Sequence, residues 1–289
     1  MKRNNDEDKC PLYLRIAEKI LDVATNALVF VDKKMFPEDY ERKPLTYKEN
    51  QKLQKIELER KRKEEDNLTV MSIASKITEL HNELPQDVKL VAVSKFHPSE
   101  CVMEAYNAGQ RLFGENRPQE FAMKCKELPQ DIQWHFIGHL QTNKLKLVLP
   151  YAYMVQSVDS LHLLEDIEKW GSINDKVIRV LLELHLGAEE TKHGLTEDEI
   201  TEILNSVSKY PHVRFCGIMG MATNTDDESV VRADFEHIAV LRQRLVASHP
   251  ELPDFKELSI GMSQDYKIAI ECGATIVRIG SDIFGPREY

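Results

Sequence analysis

Eight short apolar runs alternate with helical stretches along residues 71–289, and this alternation constrains the fold more than any other feature of the sequence. The runs are continuously apolar, which is typical of strands that a parallel sheet buries on both faces. They cover residues 90–93, 112–113, 134–137, 154–158, 177–186, 215–219, 258–260 and 275–279. Eight such units predict an α/β fold, a single closed (β/α)8 barrel of the TIM type, whereas five or six would predict an open doubly wound sheet. No GxGxxG motif follows the first run, which disfavours a dinucleotide-binding fold.

Residues 1–70 differ in composition from the predicted barrel. Apolar residues recur with a helical period from Cys10 to Asp32, and the later run KIELERKRKEED is almost wholly charged. Nearly balanced charge is typical of a solvated helix or linker, although a docking helix or a nucleic-acid-binding tail can have the same composition. We therefore predict a helical, charged extension of unknown role at residues 1–70, followed by one barrel domain at residues 71–289.

The predicted barrel is acidic. The chain has a net charge of −10, and residues 71–289 hold 22 Lys/Arg against 33 Asp/Glu, a balance of 22 − 33 = −11. Because a nucleic-acid partner requires a basic face, we expect none, although a few N–H groups and one or two cations can still hold a small anion. The five cysteines form no CxxC pair, and no run approaches the roughly 20 apolar residues of a membrane span. The sequence thus predicts a cytoplasmic protein with reduced thiols and no membrane partner.

The strand ends hold the candidate site residues, because the active site of such a barrel lies where strands pass into the following loops. Lys95 directly follows the first apolar run, as a lysine leaving a strand for solvent also would. Gly261 and Ser263 follow the seventh run, and Gly280 and Ser281 follow the eighth. Each Gly/Ser pair alone could be a helix cap, but the loops after the last two strands are where barrels often hold phosphate.

A lysine on the first strand and a phosphate site on the last two together match what pyridoxal 5′-phosphate (PLP) requires. Its aldehyde needs an amine that is deprotonated part of the time, which an apolar, partly desolvated lysine can offer. Its phosphate needs a fixed anion pocket across the barrel mouth. The residues therefore predict a PLP-binding barrel.

Seven motifs strengthen this interpretation through a family resemblance. The segments LVAVSK, FGENRPQE, WHFIGHLQTNK, SVDS, TKHG, GMSQDY and VRIGSDIFG together resemble the pyridoxal phosphate homeostasis protein family, a barrel-only relative of the alanine racemase N-terminal domain. The resemblance implies that Lys95 holds PLP as a Schiff base and that Asn116 lies beside the cofactor ring. It also implies that Ser263, Gly280 and Ser281 bind the phosphate and that Arg278 faces the pyridine nitrogen.

The resemblance implies a role in intracellular vitamin B6 homeostasis rather than rapid catalysis. A cation such as Arg278 beside the pyridine nitrogen disfavours its protonation, so the ring is a poorer electron sink. The alternative is an amino-acid racemase of the alanine racemase type, which carries a second, β-rich domain. Only IFGPREY follows Ser281-Asp282, so we expect no such domain here. We expect a monomer that binds PLP, with PLP-dependent apoenzymes as candidate protein partners.

His135 and His139 raise the question of a metal. Their spacing of four residues would suit metal binding on a helix. His135 falls within an apolar strand, however, so we interpret it as a buried histidine with satisfied hydrogen bonds and predict no metal site.

Overall fold

The computed structural model of the chain describes residues 72–186 and 194–285, which form an eight-stranded parallel barrel surrounded by helices. Strand order in the barrel follows the chain from β1 to β8, and β8 closes on β1. The predicted (β/α)8 fold class is therefore confirmed. The predicted extension over residues 1–70 and the first three residues of the TKHG motif lie outside the described residues. No helix in the described ranges has the length and apolar character needed to span a membrane.

Strands and helices alternate through the barrel as follows. The strands are β1 Lys89–Val93, β2 Leu112–Glu115, β3 Gln133–Phe136, β4 Met154–Val158, β5 Ile178–Glu183, β6 Val213–Met219, β7 Glu257–Ser259 and β8 Ile276–Ile279. The helices are α1 Ile73–Glu83, α2 Ser99–Asn107, α3 Pro118–Glu127, α4 Leu145–Val148, α5 Leu161–Asn174, α6 Glu197–Asn205, α7 Glu228–Ser248, α8 Tyr266–Glu271 and α9 Ser281–Phe284.

Some strands, such as β2 and β5, end at residues other than the ends of their apolar runs, because polar or loop contacts determine where the strand pairing stops. β2 continues two residues beyond its apolar run because Glu115 is buried and partnered there. β5 ends at Glu183, short of the predicted residue 186, because Leu184 leaves the sheet and forms a single bridge with Leu195. Apolarity therefore located the strands, and hydrogen bonding set their ends.

Side chains cap the start of four of the described helices, among them α5 and α6. Ser160 accepts a hydrogen bond from the N–H of Leu163 at the start of α5. Thr196 and Glu199 form a capping box at the start of α6, each side chain accepting from the other's backbone N–H. These contacts satisfy N–H groups that the first helical turn leaves without acceptors, and each cap contributes about 1 kcal/mol.

The barrel has two apolar cores because strand side chains alternate in direction. The inner core fills the barrel with Val91, Met154, Leu181, Cys216, Met219 and Ile276. The outer core lies between strands and helices, where α7 buries Val231, Phe235, Ile238, Leu241 and Leu245 at helical spacing. Full burial of such side chains contributes roughly 1.5–3 kcal/mol each, so these two layers supply the main favourable free energy of the fold.

Gly217 permits a bulge that the pairing of β5 with β6 requires. The register between these strands shifts by one residue, which leaves Cys216 as the extra residue. Gly217 has a φ of +149°, and a Cβ atom there would lie 1.9 Å from the backbone oxygen of Glu257 on β7. Only glycine fits a position that combines this conformation with so close an approach.

We expect Gly217→Ala to lower the free energy of unfolding by about 3 kcal/mol or more, because the added methyl group forces β6 and β7 apart. Urea unfolding of the variant and the parent measures the loss. Gly109→Ala is the control, since Gly109 also has positive φ (+101°) but has no atom within 4 Å of the place that an added methyl group would occupy. It should cost only about 1–2 kcal/mol, and equal losses in the two variants would contradict the steric explanation.

Candidate functional site

The carboxyl-terminal ends of the strands surround a cavity of about 500 Å³. Five of the seven predicted site residues line it. They are Lys95, Ser263, Arg278, Gly280 and Ser281. The pairing of β1 with β8, in the register Ala92↔Ile279, brings the two ends of the domain to this one opening. The structure therefore places the lysine and the Gly/Ser loops around a common space.

The turn after Lys95 has a defined and strained backbone. Lys95 is half-buried at the end of β1, and the next residue, Phe96, has a φ of +69°. This left-handed conformation is unfavourable for an aromatic residue by roughly 1–3 kcal/mol. The N–H of Phe96 donates to Glu120 Oε1 at 2.9 Å, and the Arg117 guanidinium lies 4.1 Å from its ring centroid. These contacts hold the chain in the conformation in which it leaves β1.

A buried polar cluster lies beneath the end of β1. Ser94 Oγ donates to Glu115 Oε1 at 2.7 Å, and Lys124 Nζ donates to Ser94 O at 2.8 Å and to Glu115 Oε1 at 2.6 Å. Lys124 is 1% exposed and also contacts Glu120 Oε1 at 2.8 Å. Burial raises the pKa of Glu115 to about 7, and the Lys124 ammonium opposes that rise. The cluster ties β1, β2 and α3 together next to Lys95.

The two Gly/Ser loops meet on the opposite side of the cavity. The N–H of Gly280 donates to Ser263 Oγ at 3.3 Å, which joins the loop after β7 to the loop after β8. A Cβ atom at position 280 would lie 3.1 Å from the backbone oxygen of Val93, so the β8 loop packs closely against β1. Ser281 begins α9, whose first N–H groups have no acceptor within the helix. Hydroxyl and N–H groups at this position can donate hydrogen bonds to the oxygens of a small anion.

Arg278 presents a fixed cation to the same cavity. Its side chain is 5% exposed, and its Nη1 donates to Ser259 O at 2.7 Å and to Ser259 Oγ at 2.6 Å. Its Nη2 donates to Gly220 O at 3.0 Å. Burial lowers the pKa of Arg278 to about 10, although Glu183 and Asp265 oppose the fall, so the group stays charged at neutral pH.

Asn116, like the candidate Gly261, does not line the cavity. The register Val93↔Gly114 places it next to Lys95, two residues further along the neighbouring strand. A Cβ atom at Gly138 would lie 2.4 Å from Asn116 O, so the backbone of the β3 loop packs tightly against this residue. Asn116 Oδ1 is buried and has no hydrogen-bond partner among the described residues, which leaves an acceptor available beside the lysine.

The comparisons with known proteins agree with this arrangement. A family model described as alanine racemase, N-terminal domain, matches residues 69–288. A pyridoxal phosphate homeostasis protein of Aquifex aeolicus is 40% identical over 203 residues, which are 70% of this chain and 88% of that protein. The chain belongs to the pyridoxal phosphate homeostasis protein family. The predicted family resemblance is therefore confirmed.

Solved structures extend the comparison. PipY of Synechococcus elongatus, solved with PLP bound, matches with a TM-score of 0.69 and 34% identity, covering 74% of this chain and all of that one. An alanine racemase of Bartonella henselae matches with a TM-score of 0.60 at 17% identity, covering 74% of this chain and 58% of that one. At that identity the racemase shares the barrel fold alone.

Sequence reasoning missed an acidic cluster that the strand ends of the barrel bring together. His139 Nδ1 lies 2.6 Å from Asp159 Oδ2, just beyond β3 and β4, and Glu183 ends β5. Burial, followed by the charge of Asp159, raises the pKa of Glu183 to about 7, while Arg278 and His139 lower it. Part of the signal was present in the sequence, because Asp159 directly follows an apolar run and Glu183 is a carboxylate within the next one.

The loop after β6 is the second feature that the sequence did not reveal. Thr223, Asn224, Thr225 and Asp226 line the cavity although no pattern in the sequence singled them out. Around His135 and His139, as elsewhere among the described residues, no group of three His, Cys, Asp or Glu side chains lies close enough to hold one metal ion. His139 instead pairs with Asp159.

We expect Glu183 to make the stability of the fold depend on pH. Its pKa is about 7 in the folded chain against 4.5 for an ordinary glutamate, so the folded state binds this proton more tightly. Stability should therefore fall as the pH rises from about 4.5 to about 7, by at most about 3 kcal/mol. Glu183→Gln should remove this part of the slope and leave the part that Glu115, whose pKa is also about 7, contributes. Urea unfolding across that range, with the parent chain as control, isolates Glu183, and parallel curves for the two chains would contradict the assignment.

Proposed function

We propose that this protein binds PLP at the carboxyl-terminal mouth of its barrel and functions in intracellular vitamin B6 homeostasis. The observation that carries the proposal is the cavity that Lys95, Arg278 and the two Gly/Ser loops line together. The names of the related proteins and the PLP-bound structure of PipY support the same assignment.

The residues around the cavity fit each part of the cofactor. A volume of about 500 Å³ lies within the range of about 300–1,000 Å³ that small-ligand pockets occupy. Ser263 and Ser281 offer hydroxyl donors for the phosphate beside Gly280, whose N–H donates to Ser263 Oγ, and Lys95 offers an amine from the adjoining strand. When bound, PLP supplies an aldehyde that a lysine amine can attack, and we propose Lys95 Nζ as the point of covalent attachment.

Arg278 supports a role in holding the cofactor rather than in turnover. Its guanidinium is charged, buried and fixed by bonds to Ser259 and Gly220. We propose that this cation faces the pyridine nitrogen and keeps it unprotonated, which lessens the ring's ability to stabilise negative charge on a substrate. Asn116, whose amide oxygen is buried beside the same strand end, is proposed to lie next to the ring.

The proposal extends to the setting in which the protein acts. We propose a cytoplasmic monomer that exchanges PLP with PLP-dependent apoenzymes. The described cysteines Cys125, Cys216 and Cys272 are free thiols, which suits a reducing compartment. The acidic barrel suits partners other than nucleic acid. Nothing specific in the cavity favours the racemase alternative, whose support is a likeness of fold.

We expect the purified chain incubated with PLP to retain it covalently on Lys95 and to absorb visible light. Borohydride reduction followed by peptide mass spectrometry should find the phosphopyridoxyl group on the peptide that contains Lys95. Lys95→Ala should lose the absorbance, while Lys209→Ala, which removes an exposed lysine outside the cavity, should keep it. A label on another lysine, or a chain that never retains PLP, would refute the assignment.

We expect Ser281→Ala to weaken PLP binding about tenfold, because it removes a hydroxyl donor to a charged phosphate. Equilibrium titration followed by the visible absorbance measures the change. Ser208→Ala, which alters an exposed serine remote from the cavity lining, is the matched control. An alanine racemisation assay on the same samples should show no appreciable rate, and rapid racemisation would favour the alternative function instead.

A further inference from the structure

The opposite end of the barrel holds a second cavity, of about 390 Å³. Residues of all eight strands line it, together with neighbours that precede β4 and β7, and none of them lines the cofactor cavity. Its inner wall is formed by side chains of the barrel interior such as Met154, Cys216 and Ile276. This cavity is therefore the amino-terminal mouth of the barrel, separated from the proposed PLP site by the inner core.

The rim of this mouth is basic although the domain is acidic. Four cations, Lys89, Arg179, Arg214 and Lys256, line it against the two carboxylates of Asp254 and Glu257, a balance of 4 − 2 = +2. The rest of the domain carries a large excess of acidic residues, since residues 71–289 total 22 − 33 = −11. Like charges gathered in one cavity repel one another unless an anion lies among them.

Two of the four cations are left for such an anion. Lys89 pairs with Glu257, and Arg214 Nε lies 3.5 Å from Asp254 Oδ2. Within the described part of the chain, Arg179 and Lys256 form no ion pair. The Arg179 guanidinium instead stacks 4.8 Å from the centroid of the Tyr153 ring. A guanidinium held in this way keeps its N–H edge available for an oxyanion.

A buried donor lies at the floor of the same cavity. His135 is 1% exposed and lines the cavity, yet its Nε2 has no hydrogen-bond partner among the described residues. Its Nδ1 lies 2.7 Å from Gln156 Nε2, and Ser259 Oγ donates to Gln156 Oε1 at 2.7 Å. A guanidinium can only donate, so Ser259 Oγ accepts from Arg278 and donates its own proton to Gln156 Oε1. The Gln156 amide nitrogen then donates to His135 Nδ1, which must accept. The ring proton is therefore on Nε2.

The ring of His135 is neutral, so it contributes a donor without adding charge. Burial lowers its pKa to about 3, and the nearby Lys89 lowers it further. A buried N–H without an acceptor costs about 1–3 kcal/mol. This corrects the sequence-based interpretation of His135 as a satisfied histidine, because only one of its two ring nitrogens is satisfied.

We propose that the amino-terminal mouth of the barrel is a second ligand site, which takes a small dianion bearing phosphate or paired carboxylate groups. Arg179 and Lys256 bind its oxygens at the rim, and His135 Nε2–H donates to it at the floor. The net charge of +2 in the lining matches a dianion. The size of the cavity admits a small organic phosphate or a dicarboxylic acid as well as inorganic phosphate.

The test uses inorganic phosphate and succinate, titrated separately into the full chain at constant ionic strength and neutral pH. Broadening of the phosphorus NMR signal reports phosphate binding, and calorimetry reports both ligands. Binding of either dianion that weakens about tenfold in both Arg179→Gln and Lys256→Gln supports the site, and the ratio of the two affinities identifies the preferred class. Both altered residues lie at the rim rather than in a core, so the variants should stay folded.

Two control variants make the result decisive. Lys169→Gln removes an exposed cation on α5, outside both cavities, and should bind as the parent does. Inorganic phosphate can also enter the upper cradle, so Ser281→Ala should weaken only the phosphate bound there. It should leave unchanged the binding that depends on Arg179 and Lys256, which separates the outcome from the proposed PLP site. Equal binding by all four variants, loss in Ser281→Ala alone, or no binding of either dianion would overturn the proposal.

Discussion

The parallel pairing of β8 with β1 is the contact on which the rest of this structure depends. It joins segments almost 190 residues apart in the sequence, in a register that runs from Lys89↔Ile276 to Ala92↔Ile279. Without it the sheet would have two open edges, and the lysine after β1 would lie far from the loop after β8. Gly280 makes the contact close, since its Cα approaches Val93 where a side chain would be crowded. The pairing that closes the barrel therefore also brings the candidate site residues together.

Two networks of buried polar groups in the barrel serve its two ends differently. Ser94, Glu115 and Lys124 stabilise the strand end that carries Lys95. A second chain, from Arg278 through Ser259 and Gln156 to His135, crosses the interior from the carboxyl-terminal to the amino-terminal mouth. Hydrogen-bonded groups of this kind hold side chains in single orientations, because leaving any one of them unpaired costs more than the bond itself contributes. The orientation of the Arg278 cation is therefore fixed from within the barrel.

Much of the fold and part of the site could be predicted because their determinants are local. Continuous apolar runs separated by helical stretches predicted eight strands, and Lys95, Gly280 and Ser281 were recognisable from their positions directly after strands. Lys124 was not recognisable, since a lysine on a helix is usually exposed and its burial depends on the carboxylate of Glu115. The loop after β6 was missed for a similar reason: its polar residues carry no periodicity, and only the path of the folded chain brings them to the cavity.

The sequence by itself determined the class of fold, the family, and which residues stand at strand ends, since each of these follows from residue order and local hydrophobic pattern. Tertiary structure alone decided the environment of those residues. It determined that Lys95 lines one cavity with the Gly/Ser loops and that Asn116 lies next to Lys95 without lining that cavity. It also determined that burial raises the pKa of Glu183. It also decided that His135 keeps an unpaired N–H at the basic amino-terminal mouth. The physical reason is that pKa values, hydrogen-bond partners and cavity walls come from groups that are distant in sequence and meet only when the barrel closes.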